Sequence, residues 1–340
     1  MQKFTISYLT NDINLQNSIQ NFIHDWCSES EFIENQTSGS TGEPKKIQIR
    51  KKYMKASAQM SGAYFKFSEG KKIMLSLSID TIGGKMIVVR AMEYNMTLIV
   101  SDILKNPTKL LNESIYFIAL VPYQLQAILE ETPYKINQIQ HVLLGGAPVS
   151  ESLTKQIQTL QPNFYESFGM TETMSHVAIK NLKLRTNIFE ALGQTYFTQE
   201  NELLVITAPE LGINKLQTND QVKLIDDTHF VWLGRNDFAI NSGGKKFHPE
   251  LLERKLENCF SYRFFIHKEL DDKLGERIII LVENRPSMTL NDQIQQIISS
   301  KLEKYEIPKQ IYFVFPFKET NSGKINRLET YNRWRDEYKK

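Results

Sequence analysis

Thr37-Ser-Gly-Ser-Thr-Gly-Glu-Pro-Lys45 is the stretch of this chain that says most about its fold. Two glycines let a backbone pass close to a ligand and turn its amides toward it. The hydroxyls add donors and Lys45 adds charge, a combination that suits a polyphosphate. The spacing does not satisfy G-x-x-x-x-G-K-[ST], so this is not a Walker A loop, and the composition alone equally fits an ordinary surface loop. Further along, Gly145-Gly-Ala-Pro148 precedes Tyr165-Glu-Ser-Phe-Gly-Met-Thr-Glu-Thr173. There Thr171 sets a hydroxyl beside the Glu172 carboxylate, a pair able to serve a phosphate oxygen and a phosphate-bridging Mg²⁺. Tyr165 and Phe168 suit the border of a purine, although a solvated strand-to-loop junction has the same composition. Leu216-Gln-Thr-Asn-Asp220 and Gly234-Arg235-Asn-Asp237 offer an acid and a base at strand ends, for ribose hydroxyls or simply for water. Thr320-Asn-Ser-Gly-Lys324-Ile-Asn-Arg327 puts one lysine on a glycine loop, ordinarily a surface position.

Around these segments the chain alternates. Ile73–Ser78, Thr97–Ser101, Ile115–Val121 and His141–Leu144 are short apolar runs that suit buried strands. Pro122–Glu131 and Ser150–Leu160 carry helical periodicity, with Ser150 as a helix start. Strands alternating with helices predict an α/β core. After about Asn187 the pattern changes to close-spaced strands at Glu202–Thr207, Gln221–Ile225 and His229–Leu233, which predicts a small antiparallel or barrel-like region. The tail predicts a helix from Pro249, strands at Arg263–His267 and Arg277–Glu283, a helix at Leu290–Lys304 and a strand at Ile311–Phe315. It forms a small α+β domain, with the boundary between residues 236 and 237.

The 340 residues allow two domains. Lys plus Arg is 41 and Asp plus Glu is 39, so the net charge is 41 − 39 = +2 and no basic field is present to recruit nucleic acid. No apolar run reaches the ~18 residues of a membrane span, and the N-terminus lacks the pattern of a signal peptide. A cytoplasmic protein without membrane insertion is the expectation. Cys27 and Cys259 have no companion for a zinc or disulfide framework and are expected to be buried thiols. Oligomeric state is not legible.

Taken together and in this order, the TSGSTGEPK, GMTE, GRND and SGK segments resemble the adenylate-forming enzymes: acyl-CoA synthetases, peptide-synthetase adenylation domains and luciferases. The resemblance runs from about residue 35 to residue 327. It implies an α/β N-terminal domain over 1–236, in α/β layers with a small barrel-like region and abbreviated at its start, and a small mobile α+β domain over 237–340. It also implies the chemistry. A carboxylic acid attacks the α-phosphate of ATP to give an acyl-adenylate and pyrophosphate, and CoA then displaces AMP.

Residue by residue, the resemblance makes Thr37, Ser38, Gly39, Ser40, Thr41, Gly42 and Lys45 the cradle for the β- and γ-phosphates. Gly145, Gly146 and Ala147 match the stretch that packs on adenine. Thr171 matches the threonine on the α-phosphate, and Glu172 the Mg²⁺ ligand. Asp220 and Arg235 match the ribose pair. Lys324 matches the lysine that bridges the acyl carboxylate and the α-phosphate, offsetting the repulsion of two anions. Asp237 matches the hinge, and Gly243 and Gly244 belong to the loop that lines the thiol tunnel.

Family members carry a much longer stretch before the phosphate loop than the 36 residues found here. Compact chains of this kind resemble the o-succinylbenzoate–CoA ligases of menaquinone synthesis, as do Ser78–Arg90, Gly169–His176 and Gly243–Glu250. The resemblance implies a substrate with an aromatic ring, a keto-acid chain and two carboxylates. Lys85, Arg90 and His176 are the candidates to meet it, against the alternatives of a surface charge at Arg90 and a satisfied, partly buried histidine at His176. Asp80-Thr81-Ile82 departs from the aromatic–His pair of many relatives. A ligase for another aryl or fatty acid therefore stays open, as does a catalytically silent nucleotide-binding homologue.

Overall fold

The computed structural model describes residues 4–36, 46–184, 186–257, 259–319 and 325–338. The strands are β1 Ile6–Tyr8, β2 Phe32–Gln36, β3 Lys46–Arg50, β4 Lys72–Leu75, β5 Thr97–Val100, β6 Ile115–Leu120, β7 Ile139–Leu144, β8 Asn163–Met170, β9 Ser175–Asn181 and β10 Ile188–Ala191. They continue as β11 Tyr196–Glu200, β12 Leu203–Ala208, β13 Ile213–Leu224, β14 His229–Arg235, β15 Ile240–Ser242, β16 Lys245–Phe247, β17 Phe264–Asp271, β18 Gly275–Val282 and β19 Gln310–Phe313. The helices are α1 Ile13–Cys27, α2 Lys51–Phe65, α3 Ile82–Glu93, α4 Pro122–Glu131, α5 Glu151–Ile157, α6 Pro249–Leu256, α7 Met288–Lys301 and α8 Arg327–Tyr338.

Two compact units divide the chain. The first comprises Met1–Thr198, Val205–Leu216 and Leu224–Val231; the second comprises Gln199–Leu204, Gln217–Lys223 and Trp232–Lys340. The main sheet runs β1-β5-β4-β6-β7-β8-β9-β10 and continues through β14-β13-β12-β11. Strands β1, β5, β4, β6, β7 and β8 pair in parallel. Their residues read as apolar runs because both faces are covered: Met74, Ile99, Ile118, Val142 and Phe164 share one fully buried cluster.

The order places a switch point at β4. The chain leaves β4 through α3 to reach β5 on one side, while β6 lies on the other. In open parallel sheets ligands bind beyond the carboxyl ends of strands at such a point. The turn after β4 is held there by α3, whose N-cap Thr81 accepts from the Gly84 amide at 3.2 Å. A Cβ at Gly84 would lie 2.1 Å from the Ser78 carbonyl, so only glycine lets the helix sit this close to the turn.

Past β8 the pairing turns antiparallel, β8 with β9, β9 with β10 and β10 with β14. The close-spaced strands expected after Asn187 thus extend the main sheet. The Gln221–Ile225 run proves to be the end of a longer strand, β13.

In the second unit β18 lies between β15 and β17 and pairs in parallel with β19. Alternation along β18 sends Ile278, Ile280 and Val282 to a core shared with α6 and α7. Ile279 and Leu281 face Tyr331 and Trp334 of α8. Cys27 is exposed and Cys259 intermediate, so neither is the buried thiol expected: Cys27 ends an amphipathic helix that buries Leu15, Ile19 and Phe22 instead. Among the described residues no helix is long and apolar enough to cross a membrane.

The β8–β9 register shifts between Phe168 and Gly169. A Cβ at Gly169 would stand 2.0 Å from the Ser175 carbonyl oxygen. Gly169→Ala is therefore expected to cost ~1–3 kcal/mol of overpacking, read as a fall in Tm of at least about 2 °C. An unchanged thermal transition would contradict the close approach.

Candidate active site

The carboxyl edge of the parallel strands in the first unit carries two of the singled-out segments. Gly145, Gly146 and Ala147 follow β7 directly. Gly146 takes φ +81°, open to glycine at no steric cost. Both ends of this turn are held by consecutive residues of β8: the Ser167 hydroxyl donates to the Leu144 carbonyl at 3.0 Å, and the Val149 amide donates to Glu166 Oε1 at 3.2 Å. Lys180, opposite Glu166 on β9, pairs with that carboxylate, and both side chains are buried.

At the end of β8, Thr171 and Glu172 open a short 3₁₀ turn. Thr173 locks it, accepting from the Met170 amide at 2.9 Å and donating to the Ser175 carbonyl at 2.6 Å. Thr171 is half-buried and Glu172 exposed, so the lock leaves the Glu172 carboxylate facing solvent. Among the described residues no cluster of three or more acidic, His or Cys side chains could hold a metal. Glu172 fits the other mode, in which Mg²⁺ takes one or two carboxylates and fills its shell with phosphate oxygens and water.

Thr37, Ser38, Gly39, Ser40, Thr41, Gly42 and Lys45 lie outside the described residues, as does Lys324. Their flanks are defined. Strands β2 and β3 pair antiparallel, with Gln36 opposite Lys46, and Glu319 bridges Ile325.

Arg90 and His176 come together. Arg90, on α3, is 2% exposed, which excludes a surface charge. Its Nη2 donates to Ser175 Oγ at 3.2 Å and lies 3.5 Å from His176 Nδ1. No carboxylate pairs with it among the described residues, and its buried Nε has no partner. Burial pulls the guanidinium down to about 9.

Arg90 can only donate, so His176 Nδ1 is the acceptor and the ring proton sits on Nε2. Nε2 lies 3.1 Å from Ser61 Oγ, whose own hydrogen goes to the Ser57 carbonyl at 2.9 Å. This network is satisfied only by a neutral imidazole. Burial, and then the Arg90 charge, hold His176 well below its ordinary value. Lys85 does not join them: its ammonium donates to the Glu34 carbonyl and to Asn35 Oδ1, both at 2.9 Å, tying α3 to β2.

The second unit holds the remaining candidates. Asp220 is 6% exposed, within β13 rather than at a strand end. Its Oδ1 accepts from Trp232 Nε1 at 2.8 Å. Arg235 ends β14 and pairs with Asp237 in the following 3₁₀ turn. Burial works against the Arg235 charge, but Asp237, Asp220 and Glu250 hold it above its ordinary range. Gly243 and Gly244, at φ +57° and +78°, form the two-residue turn of the β15–β16 hairpin.

Several residues here were not singled out from the sequence. Glu250 accepts from the Arg235 amide at 3.3 Å, and burial raises its carboxyl to about 7. Arg327 grips Glu253 through both nitrogens at 2.7 Å. Glu166, Lys180 and Trp232 act through strand register, which a single sequence does not display. Thr173 stood inside the quoted motif, and its hydroxyl was the only signal.

A family model described as AMP-binding enzyme matches residues 35–209. A 2-succinylbenzoate–CoA ligase of Enterococcus faecalis is 26% identical over 327 residues, covering 85% of this chain and 67% of its own length. Among solved structures, an acyl-CoA synthetase (AMP-forming)/AMP-acid ligase II-like protein from Dyadobacter fermentans is 32% identical. It covers 95% of each chain with a TM-score of 0.64. The o-succinylbenzoate CoA synthetase of Bacillus subtilis, in complex with the acyl-adenylate intermediate OSB-AMP, has a TM-score of 0.75 at 20% identity over 87% of this chain and 68% of that one. At that identity the likeness speaks to the fold alone.

The His176 environment makes a stability prediction. An unfolded histidine titrates near ~6.5, whereas folded His176 stays neutral well below that. Between the two values the unfolded chain binds more protons, so stability is full above pH ~6.5 and falls as the pH drops. His141, His248 and His267 are shifted in the same direction by burial. His176→Gln is expected to flatten the slope of unfolding free energy between pH 5 and 6.5 by up to ~1.4 kcal/mol per pH unit. Denaturant titrations at several pH values check this; an unchanged slope would contradict it.

Proposed function

The chain belongs to the AMP-binding enzyme family, as an AMP-forming acid–CoA ligase, and from that premise we propose that its acid is 2-succinylbenzoate. The reaction joins 2-succinylbenzoate to ATP, giving 2-succinylbenzoyl-adenylate and pyrophosphate. The CoA thiol then displaces AMP to give 2-succinylbenzoyl-CoA, a step of menaquinone biosynthesis. The observation that carries the choice of acid is Arg90, a buried guanidinium with no carboxylate beside it among the described residues. A dicarboxylic acid brings one carboxylate to react and a second to be neutralised. A carboxylate that reaches Arg90 when the substrate binds would meet its unpartnered Nε.

In this reading each residue has one task. Thr37–Lys45 holds the β- and γ-phosphates through backbone amides, hydroxyls and Lys45. Gly145–Ala147 flank adenine, and Asp220 with Arg235 hold the ribose. Thr171 donates to the α-phosphate. Glu172 would hold Mg²⁺, which when bound screens the phosphate charge. Lys324 brings its ammonium between the attacking carboxylate and the α-phosphate and stabilises charge that develops during transfer. Asp237 turns the backbone between the two half-reactions, and Gly243-Gly244 borders the path of the thiol. Neutral His176 accepts from Arg90 and fixes its plane. Lys85, engaged with β2, supports the pocket wall.

A second reading is an AMP-forming ligase for another aryl or fatty acid, favoured by Asp80-Thr81-Ile82. A silent homologue would have no use for Lys324, Glu172 and Arg235 together. The two ligase readings separate in one assay. Purified protein with ATP, Mg²⁺, CoA and a panel of acids is expected to yield the 2-succinylbenzoyl thioester by mass spectrometry. Thioester from a simple aryl or straight-chain acid, with none from 2-succinylbenzoate, would overturn the choice of acid.

A further inference from the structure

A carboxylate that is to bind a neutral diol must stay ionised and must not rotate. Asp220 meets difficulty on both counts. It is 6% exposed, and burial raises its carboxyl above the ordinary range, with Asp237 adding to the rise. The Trp232 indole, the Arg235 charge and Thr218 act in the opposite direction. Only the indole also fixes geometry with a rigid donor: Nε1 meets Oδ1 at 2.8 Å. An indole N–H can donate and cannot accept, so it bonds the carboxylate as acceptor and leaves no alternative arrangement. The backbone is pinned as well, the Asp220 amide donating to Thr218 Oγ1 at 3.0 Å.

We propose that Trp232 is a positioning residue of the nucleotide site, whose indole N–H holds one oxygen of Asp220 so that the carboxylate is presented in a single orientation to the ribose hydroxyls. The inference rests on the reading of Asp220 as the ribose carboxylate and adds the group that orients it. Trp232 itself touches no reacting atom. Its effect is on discrimination between nucleotides that differ by one hydroxyl, because an acceptor free to rotate can re-pair with water when that hydroxyl is missing.

Calorimetric binding of ATP, 2′-deoxyATP and 3′-deoxyATP to the full chain tests this without knowledge of the acid. Wild type is expected to prefer ATP over at least one deoxy analogue by roughly tenfold or more, and Asp220→Ala to lose that preference. Trp232→Phe keeps the ring and removes the donor. It is expected to reduce the preference to within about threefold of Asp220→Ala, with a thermal transition that stays cooperative. A Trp232→Phe protein that keeps wild-type discrimination overturns the proposal while leaving Asp220 in its role. Absence of discrimination in wild type, or its survival in Asp220→Ala, overturns the ribose reading itself. Should Trp232→Phe fail to fold, the indole N–H resonance of Trp232 in wild type, one of three, is expected to shift with ATP and less with the deoxy analogue. Indifference to all three nucleotides would likewise overturn the proposal.

Discussion

A guanidinium taken out of water must be compensated, and for Arg90 the compensation among the described residues is incomplete. Among the described residues its hydrogen-bond partners are a serine hydroxyl and a neutral imidazole, and its Nε has none. An uncompensated buried charge costs several kcal/mol, which the surrounding apolar packing of α3 and the sheet must offset. The consequences spread outward. His176 is confined to one tautomer, Ser61 is committed to accepting from it, and Ser175 is drawn toward α3. Ser175 also anchors the turn that carries Thr171 and Glu172. Its carbonyl accepts from Thr173, which sets the Thr171–Glu172 turn, and it lies where any Cβ at residue 169 would have to stand. One residue thus couples the candidate acyl side to the candidate phosphate side.

In the second unit the problem is the opposite charge. Asp220 and Glu250 are carboxylates pulled from water, and each meets a well-placed donor, an indole N–H for the first and the Arg235 amide for the second. Arg235 stands between acidic neighbours that hold it charged. Both units therefore keep ionisable groups in surroundings that disfavour ionisation, an arrangement more common at functional sites than elsewhere.

Much of this is legible in the sequence. The strands at β4 to β7 show as Ile, Leu and Val runs because a parallel sheet buries both faces, and α4 has the expected bounds because Pro122 starts it and apolar spacing sustains it. Helix α8 was not legible: Arg327–Tyr338 is polar almost throughout and contributes little to the core beyond Tyr331 and Trp334. Arg90 carried a clue that composition alone does not weigh. It sits in Met86-Ile-Val-Val-Arg-Ala, apolar all round, and such a helix is buried together with its charge. Asp220 lies in a polar strand without alternation, so its burial could not be inferred from pattern. The Glu166–Lys180 pair depends on β8–β9 register across a bulge.

In the proposed function Arg90 binds a carboxylate supplied by the substrate. Calorimetric titration of 2-succinylbenzoate, and of its monoester blocked at the side-chain carboxylate, into wild type and Arg90→Met in the presence of a non-hydrolysable ATP analogue tests it most directly. Wild type is expected to bind the diacid at least roughly thirtyfold more tightly than the monoester, and Arg90→Met to bind the two within about threefold of each other. An Arg90→Met protein that retains the wild-type preference for the diacid would contradict it.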